Sequence, residues 1–208
     1  QVVEVLAAHP STARFVATKL ARRFIADDPP KEIVEKAATT FTETDGDIKA
    51  VLRVILFDGL AYAQAKFKRP VNFVTSSLRM LNAQTEVGSS ILDYLARMGQ
   101  LPFAWPTPDG YPDRAAPWSG NLMPRWQFAM ALARNEIKGT QVNLAELANA
   151  DSPSTLIDHF SSLLLGAQLP PTKRDELAAA LTEAGATDDD LPPVVVAGLA
   201  ASPAFQWR

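Results

Sequence analysis

Two stretches decide the fold: PSTARFVATKLARRFIADDPP, Pro10–Pro30, and PSTLIDHFSSLLLGAQLPP, Pro153–Pro171. Each opens on Pro-Ser-Thr, continues through apolar residues at helical spacing and closes on a double proline. In the first, Ser11 or Thr12 is the expected cap of a helix running to about Ala26. Ala13, Val16, Leu20 and Phe24 recur at three- and four-residue spacing and form its expected buried stripe, flanked by Phe15 and Ile25. Arg14, Thr18, Lys19, Arg22 and Arg23 occupy the other directions. Pro29 and Pro30 stop the helix, because proline removes a backbone donor and constrains the residue before it.

Working outward, each double proline is followed by a helix, an acidic turn and an apolar helix. In the first copy these are a helix over 31–44 burying Ile33, Val34, Ala37 and Phe41, then Asp45-Gly46-Asp47, then 48–57. Gly46 suits a left-handed C-terminal position and Asp47 the cap of the next helix. The second copy carries Asp188-Asp189-Asp190 as its turn, and DGLAY at 58–62 aligns with ASPAF at 201–205. A short helix over 2–8 precedes the first copy. Pro70 opens a helix over 71–82, and others follow over 87–98, from Pro124 to about Ile137, and weakly over 144–148. No segment sustains the period-two alternation of a strand. The expectation is an all-α single domain over 1–208, with two related three-helix units, 10–62 and 153–205. They bracket central helices and an ordered Pro/Trp-rich loop within 70–137.

The composition sets limits. The 208 residues are 47% hydrophobic and 21% charged, as in globular proteins that bury a real core. No apolar run approaches the ~20 residues of a membrane span. Residues 1–100 carry 13 Lys/Arg against 11 Asp/Glu, and 101–208 carry 7 against 12. A split that mild argues against nucleic acid, which wants a concentrated basic face. Without cysteine there is neither a disulfide nor a thiolate metal site. The N-terminal QVVEVLAAHP lacks the basic and apolar regions of a signal peptide.

Catalytic motifs are missing. His9, before Pro10 at a helix junction, and His159, beside Asp158 inside a helix, have no metal-binding company and read as capping or packing residues. GxSxG, SxxK and glycine-rich phosphate loops do not occur. Glu43 to Asp47 is oxygen-rich, but it lacks the ligand alternation of a calcium loop and reads as a helix junction, as does Thr187 to Asp190. The basic residues of the first helix, and Lys66, Lys68 and Arg69, read as solvated surface. No cofactor or metal is expected.

One segment stands apart: LPFAWPTPDGYPDRAAPWSGNLMPRW, Leu101–Trp126, with three of the four tryptophans and six prolines. A proline-stiffened loop loses little entropy on binding, and Trp and Tyr present broad faces to a partner protein or a polysaccharide. Trp105, Tyr111 and Trp118 are the candidate contact residues. The competing reading is that these rings fill the core, each worth ~1.5–3 kcal/mol by burial.

Five ordered motifs carry a family resemblance: HPSTARFVATKLARRFIADDPP, DGDIKAVLRVILF, KRPVNFVTSSLRML, LPFAWPTPDGYPD…W and the closing SPAFQWR. Together they resemble the bacterial family catalogued as domain of unknown function 1800. The match spans nearly the whole chain and is similar to the C-terminal half of such proteins. Positions matching the family's recurrent residues are His9, Pro10, Lys19, Phe24, Pro70, Trp105, Pro108, Gly110 and Trp118. Tyr111 stands where the family would have tryptophan, and Gly59-Leu60-Ala61-Tyr62 departs from its Ser-Pro-Glu-Phe pattern. The resemblance implies export to the periplasm or beyond, with a protein partner or the missing N-terminal half as contacts, and transfers no catalytic residue. The expectation is a non-enzymatic binding or scaffolding module. The alternative is part of a hydrolase on a polymer, with its site completed by the missing half and His9, Arg14 and Lys19 as polar groups.

Overall fold

The computed structural model describes residues 1–148, 152–183 and 190–207. The fold is all-α. Among the described residues the only sheet is a two-residue antiparallel pair, β1 (Gln84–Thr85) against β2 (Thr140–Gln141), with Thr85 opposite Thr140 and their hydroxyls 2.7 Å apart. The chain forms two compact units. Unit 1 comprises residues 1–66 and 112–115, and unit 2 comprises 67–111 and 116–208.

Unit 1 holds α1 (Val2–Ala7), α2 (Pro10–Phe24), α3 (Lys31–Glu43), α4 (Ile48–Gly59) and a 3-10 turn at Leu60–Tyr62. The N-cap of α2 is His9 rather than Ser11 or Thr12: its Nδ1 accepts from the Ser11 N–H at 3.1 Å, and Pro10 takes the first helical position. Proline there sacrifices only a donor that the helix leaves unpaired anyway. His9→Ala should destabilise unit 1 by about 1 kcal/mol, readable as a lower urea midpoint with unchanged slope. The buried stripe of α2 also differs from expectation. Ala13, Ala17 and Ala21 face the core with Ile25 and Ala26, while Phe24 is exposed and Val16 and Leu20 are half-buried. Alanines four apart let α3 approach α2 closely, and larger side chains in line would hold the helices apart. Ile33, Val34 and Ala37 of α3 and Val51 and Ile55 of α4 complete this core, with Phe41 packed at its edge.

The 43–47 junction is a helix end followed by a cap. Asp45 and Gly46 adopt positive φ, and the Asp47 carboxylate accepts from Lys49 N at 2.8 Å and Ala50 N at 3.3 Å. At the far end of α4, Gly59 meets Ile25 closely: a Cβ there would lie 3.0 Å from Ile25 Cδ1. Glycine therefore suits this close approach.

Unit 2 holds α5 (Pro70–Met80), α6 (Ser89–Arg97), α7 (Ala116–Ser119), α8 (Met123–Ala133), α9 (Leu144–Leu147), α10 (Pro153–Leu165), α11 (Pro171–Glu183), α12 (Leu191–Ala201) and α13 (Pro203–Gln206). Its core is larger and aromatic. Phe73 meets Phe128 and Phe205 edge-on at 5.9 and 5.7 Å, and Tyr94 meets Phe128 at 5.3 Å. α10 to α13 fall within 153–206, in the stretch whose sequence aligns with that of α2, α3, α4 and the 3-10 turn. Ser152 caps α10 through a reciprocal bond with Thr155, and Pro153 takes the place of Pro10. Ala13, Ala17 and Ala21 correspond to the buried Leu156, Phe160 and Leu164. The acidic turn of this copy at Asp188 and Asp189 lies outside the described residues.

The last helices diverge more. In α12, Leu191, Val195, Leu199 and Ala200 are buried, and α8 packs on this helix more extensively than any other element. The matching α4 residues Ile48, Leu56 and Phe57 are exposed. Lys66 and Lys68 are not solvated surface, for each is only 6% exposed.

Candidate functional site

The three candidate rings form a ladder in unit 2. Trp105 and Tyr111 have ring centroids 4.8 Å apart, and Tyr111 and Trp118 lie 5.9 Å apart. Exposure falls along it: Trp105 is 38% exposed, Tyr111 half-buried and Trp118 only 5% exposed. The Tyr111 hydroxyl donates to the Leu101 carbonyl at 2.7 Å, pinning the start of the loop to its middle. The Trp105 indole N–H donates to the Asp109 carboxylate at 3.2 Å, and Gly110 turns at φ +73°. Trp118 sits in the short α7, and a Cβ placed on Gly99, just beyond α6, would lie 4.0 Å from its ring. Within the ladder Trp118 is buried, Tyr111 stands between the two tryptophans, and Trp105 faces outward.

The sequence reading missed Phe103. Its ring is fully exposed while its backbone sits at φ +61°, the left-handed region that bulky side chains disfavour. A phenylalanine between Pro102 and the Ala-Trp-Pro run was the available signal.

Residues Pro112–Ala115 of the same loop belong to unit 1. There the buried Lys66 ammonium donates to the Arg22 carbonyl (2.7 Å), the Asp27 carboxylate (2.6 Å) and the Asp113 carbonyl (3.2 Å). The second Asp27 oxygen accepts from the Ala115 N–H at 2.6 Å, and Arg23 pairs with Asp113 at 3.2 Å. Burial alone would raise the Asp27 pKa. Hydrogen bonds from Lys66 and Ala115, with the charges of Lys66 and Arg114, outweigh it and hold the carboxyl below its usual value. Every donor of the ammonium is engaged, so this cluster fastens the loop segment.

The polar candidates are not gathered into a site. His9 caps α2, Arg14 pairs with Glu35 on an exposed face, and Lys19 lies 5.4 Å from the Phe15 ring. His159 packs edge-on against Phe160. Among the described residues, no group of three or more His, Cys, Asp or Glu could hold a metal, and no helix is long and apolar enough to cross a membrane.

Arg125 was also unforeseen. It is 1% exposed in unit 2 and donates to Gln206 Oε1 at 2.8 Å and the Lys68 carbonyl at 2.7 Å. Its guanidinium lies 4.7 Å from the Phe67 ring centre and 5.1 Å from that of Phe73. No carboxylate pairs with it among the described residues, and burial pushes its pKa down to about 10. It remains charged at neutral pH. Its sign in the sequence was a lone charge within the apolar MPRWQFAMALA.

An all-α protein with a ring ladder leading out of its core is the class these observations define. Residues 1–207 match the family described as "Protein of unknown function (DUF1800)", and the chain belongs to it. No curated protein and no solved structure matches.

Proposed function

We propose that this chain is a non-enzymatic binding or scaffolding module that contacts a partner protein or a polymer through the loop bearing Phe103 and Trp105. The observation carrying this reading is the gradient of exposure along the ladder. A ring braced by Tyr111 and Trp118 gives up little freedom when a ligand lies on it, so more of the contact energy is kept as affinity. A core-filling role accounts for Trp118 but not for a fully exposed Phe103 held at positive φ. An extracytoplasmic setting in bacteria belongs to the same proposal and is supported by the motif resemblance alone.

The test is capture. A photo-crosslinking phenylalanine analogue at position 103 should trap a protein partner in cells, and pelleting with insoluble polysaccharides should report a polymer. Either form of capture is expected to be lost on Trp105→Ala, whose ring is partly exposed, while the far-UV spectrum is kept. Crosslinking that survives Trp105→Ala, or polysaccharide pelleting that survives both Trp105→Ala and Phe103→Ala, would overturn the assignment.

A further inference from the structure

The aromatic loop has spent its side-chain hydrogen-bond donors. Between Leu101 and Tyr111 only Trp105, Thr107 and Tyr111 carry an N–H or O–H on the side chain. The Trp105 indole N–H and the Thr107 hydroxyl both donate to the Asp109 carboxylate, and the Tyr111 hydroxyl donates to the Leu101 carbonyl. Pro102, Pro106 and Pro108 have no backbone N–H to offer. The surface left outside, residues 102–108, is exposed throughout and contains no charged residue.

The tip of the loop is a β-turn. The Ala104 N–H donates to the Leu101 carbonyl at 3.2 Å, with Pro102 and Phe103 at the two central positions. At φ +61°, Phe103 occupies the place that such a turn reserves for glycine. The strain gains nothing within the chain, because the Phe103 ring is fully exposed. We propose that Phe103 is the anchor of the contact: its ring enters an apolar pocket on a partner protein, and Trp105 covers the pocket's rim. This rests on the reading of the loop as a contact surface and narrows that reading to a protein.

The spent donors set a polysaccharide aside. A sugar chain brings hydroxyls that must be paired as water leaves, and each one left unpaired is costly. A ring carried on a turn tip is also a knob, which fits a hollow better than the flat face of a pyranose. A bilayer surface is met by basic residues, and none occurs from Leu101 to Tyr111. What remains is a protein pocket, where one desolvated aromatic side chain on a pinned loop can carry most of the affinity.

The experiment places a diazirine-bearing residue at Ala104, next to the anchor, in the full chain and crosslinks it in bacterial cells. The readout is the yield of protein adduct as residue 103 is varied. Phe103→Gly suits the turn and removes the ring, so the adduct should fall by at least about tenfold while the melting temperature is kept or raised. Phe103→Tyr puts a hydroxyl at the far end of the ring, where a closed apolar pocket leaves it unpaired, and should also cost about tenfold. An adduct undiminished by either substitution, yet lost on Trp105→Ala, would overturn the anchor and leave the contact surface standing. Pelleting with cellulose or peptidoglycan, or flotation with phosphatidylglycerol vesicles, in place of an adduct would overturn the choice of a protein. No adduct, pelleting or flotation at all would overturn the contact reading itself, and the anchor with it.

Discussion

Arg125→Ala is expected to lower the stability of unit 2 by about 3–5 kcal/mol, a large fraction of a typical domain's margin. The side chain is 1% exposed, so truncation opens a cavity among Phe67, Phe73 and their neighbours. It also strands two acceptors, the Lys68 carbonyl and Gln206 Oε1. Those acceptors lie in the segments that close unit 2, where Lys68 N donates in turn to the Gln206 carbonyl at 2.7 Å. Arg125→Met separates the contributions. Methionine refills the volume and spares the burial of a cation that has no carboxylate partner, so its loss should be less than half of that for alanine. Urea unfolding of the pair measures this. Equal losses would assign the stabilisation to the two hydrogen bonds and not to packing.

Lys66→Met is expected to lower the stability of unit 1 by about 2–4 kcal/mol. Methionine keeps most of the stem but leaves three acceptors without their shared donor. The figure stays below the fully buried case because Asp27 is 30% exposed and water can reach it. Amide exchange at Ala115 should quicken, since Asp27 accepts from that N–H and Lys66 steadies Asp27. The same cluster sets a pH dependence. The Asp27 pKa is lowered on folding, so its contribution is fully present above the unfolded value near 3.9 and is lost as pH falls through the lower folded value. Acid destabilisation below about pH 4 should be steeper in wild type than in Asp27→Asn, whose stability lacks this titration.

The helices were legible because their signals are local. Double prolines, the Gly46-Asp47 junction and the Pro-Ser-Thr openings act within one turn of the chain, and the helices begin and end within a few residues of where they point. The buried face of α2 was not legible. Its large residues form a stripe as regular as its alanines, and only the proximity of α3 favours the small ones. The repeat led to an expectation of three helices in each copy and carried no sign of what either copy buries. α8 covers the side of α12 that is bare on α4, and that packing is long-range.

The candidate site was half legible. Composition alone singled out the loop, and the pairing of Trp105 with Tyr111 and of Tyr111 with Trp118 follows its order. Which ring faces outward depends on contacts with Leu101, Asp109 and Gly99, which no spacing encodes. Lys66, Lys68 and Arg125 escaped for a related reason. A charge is read as surface until its partners are known, and those partners lie 39 or more residues away for Lys66 with Asp27 and Arg125 with Lys68 and Gln206.

The central claim is that Trp105 faces solvent from a braced ladder while Trp118 is core. Acrylamide quenching tests it in a variant with Trp126 and Trp207 replaced by phenylalanine, leaving those two reporters. Two populations are predicted: one red-shifted and efficiently quenched, which disappears when Trp105→Phe is added, and one blue and protected, which remains. A single blue, protected population from both tryptophans would contradict the account, because Trp105 would then be part of the core and the platform would not exist.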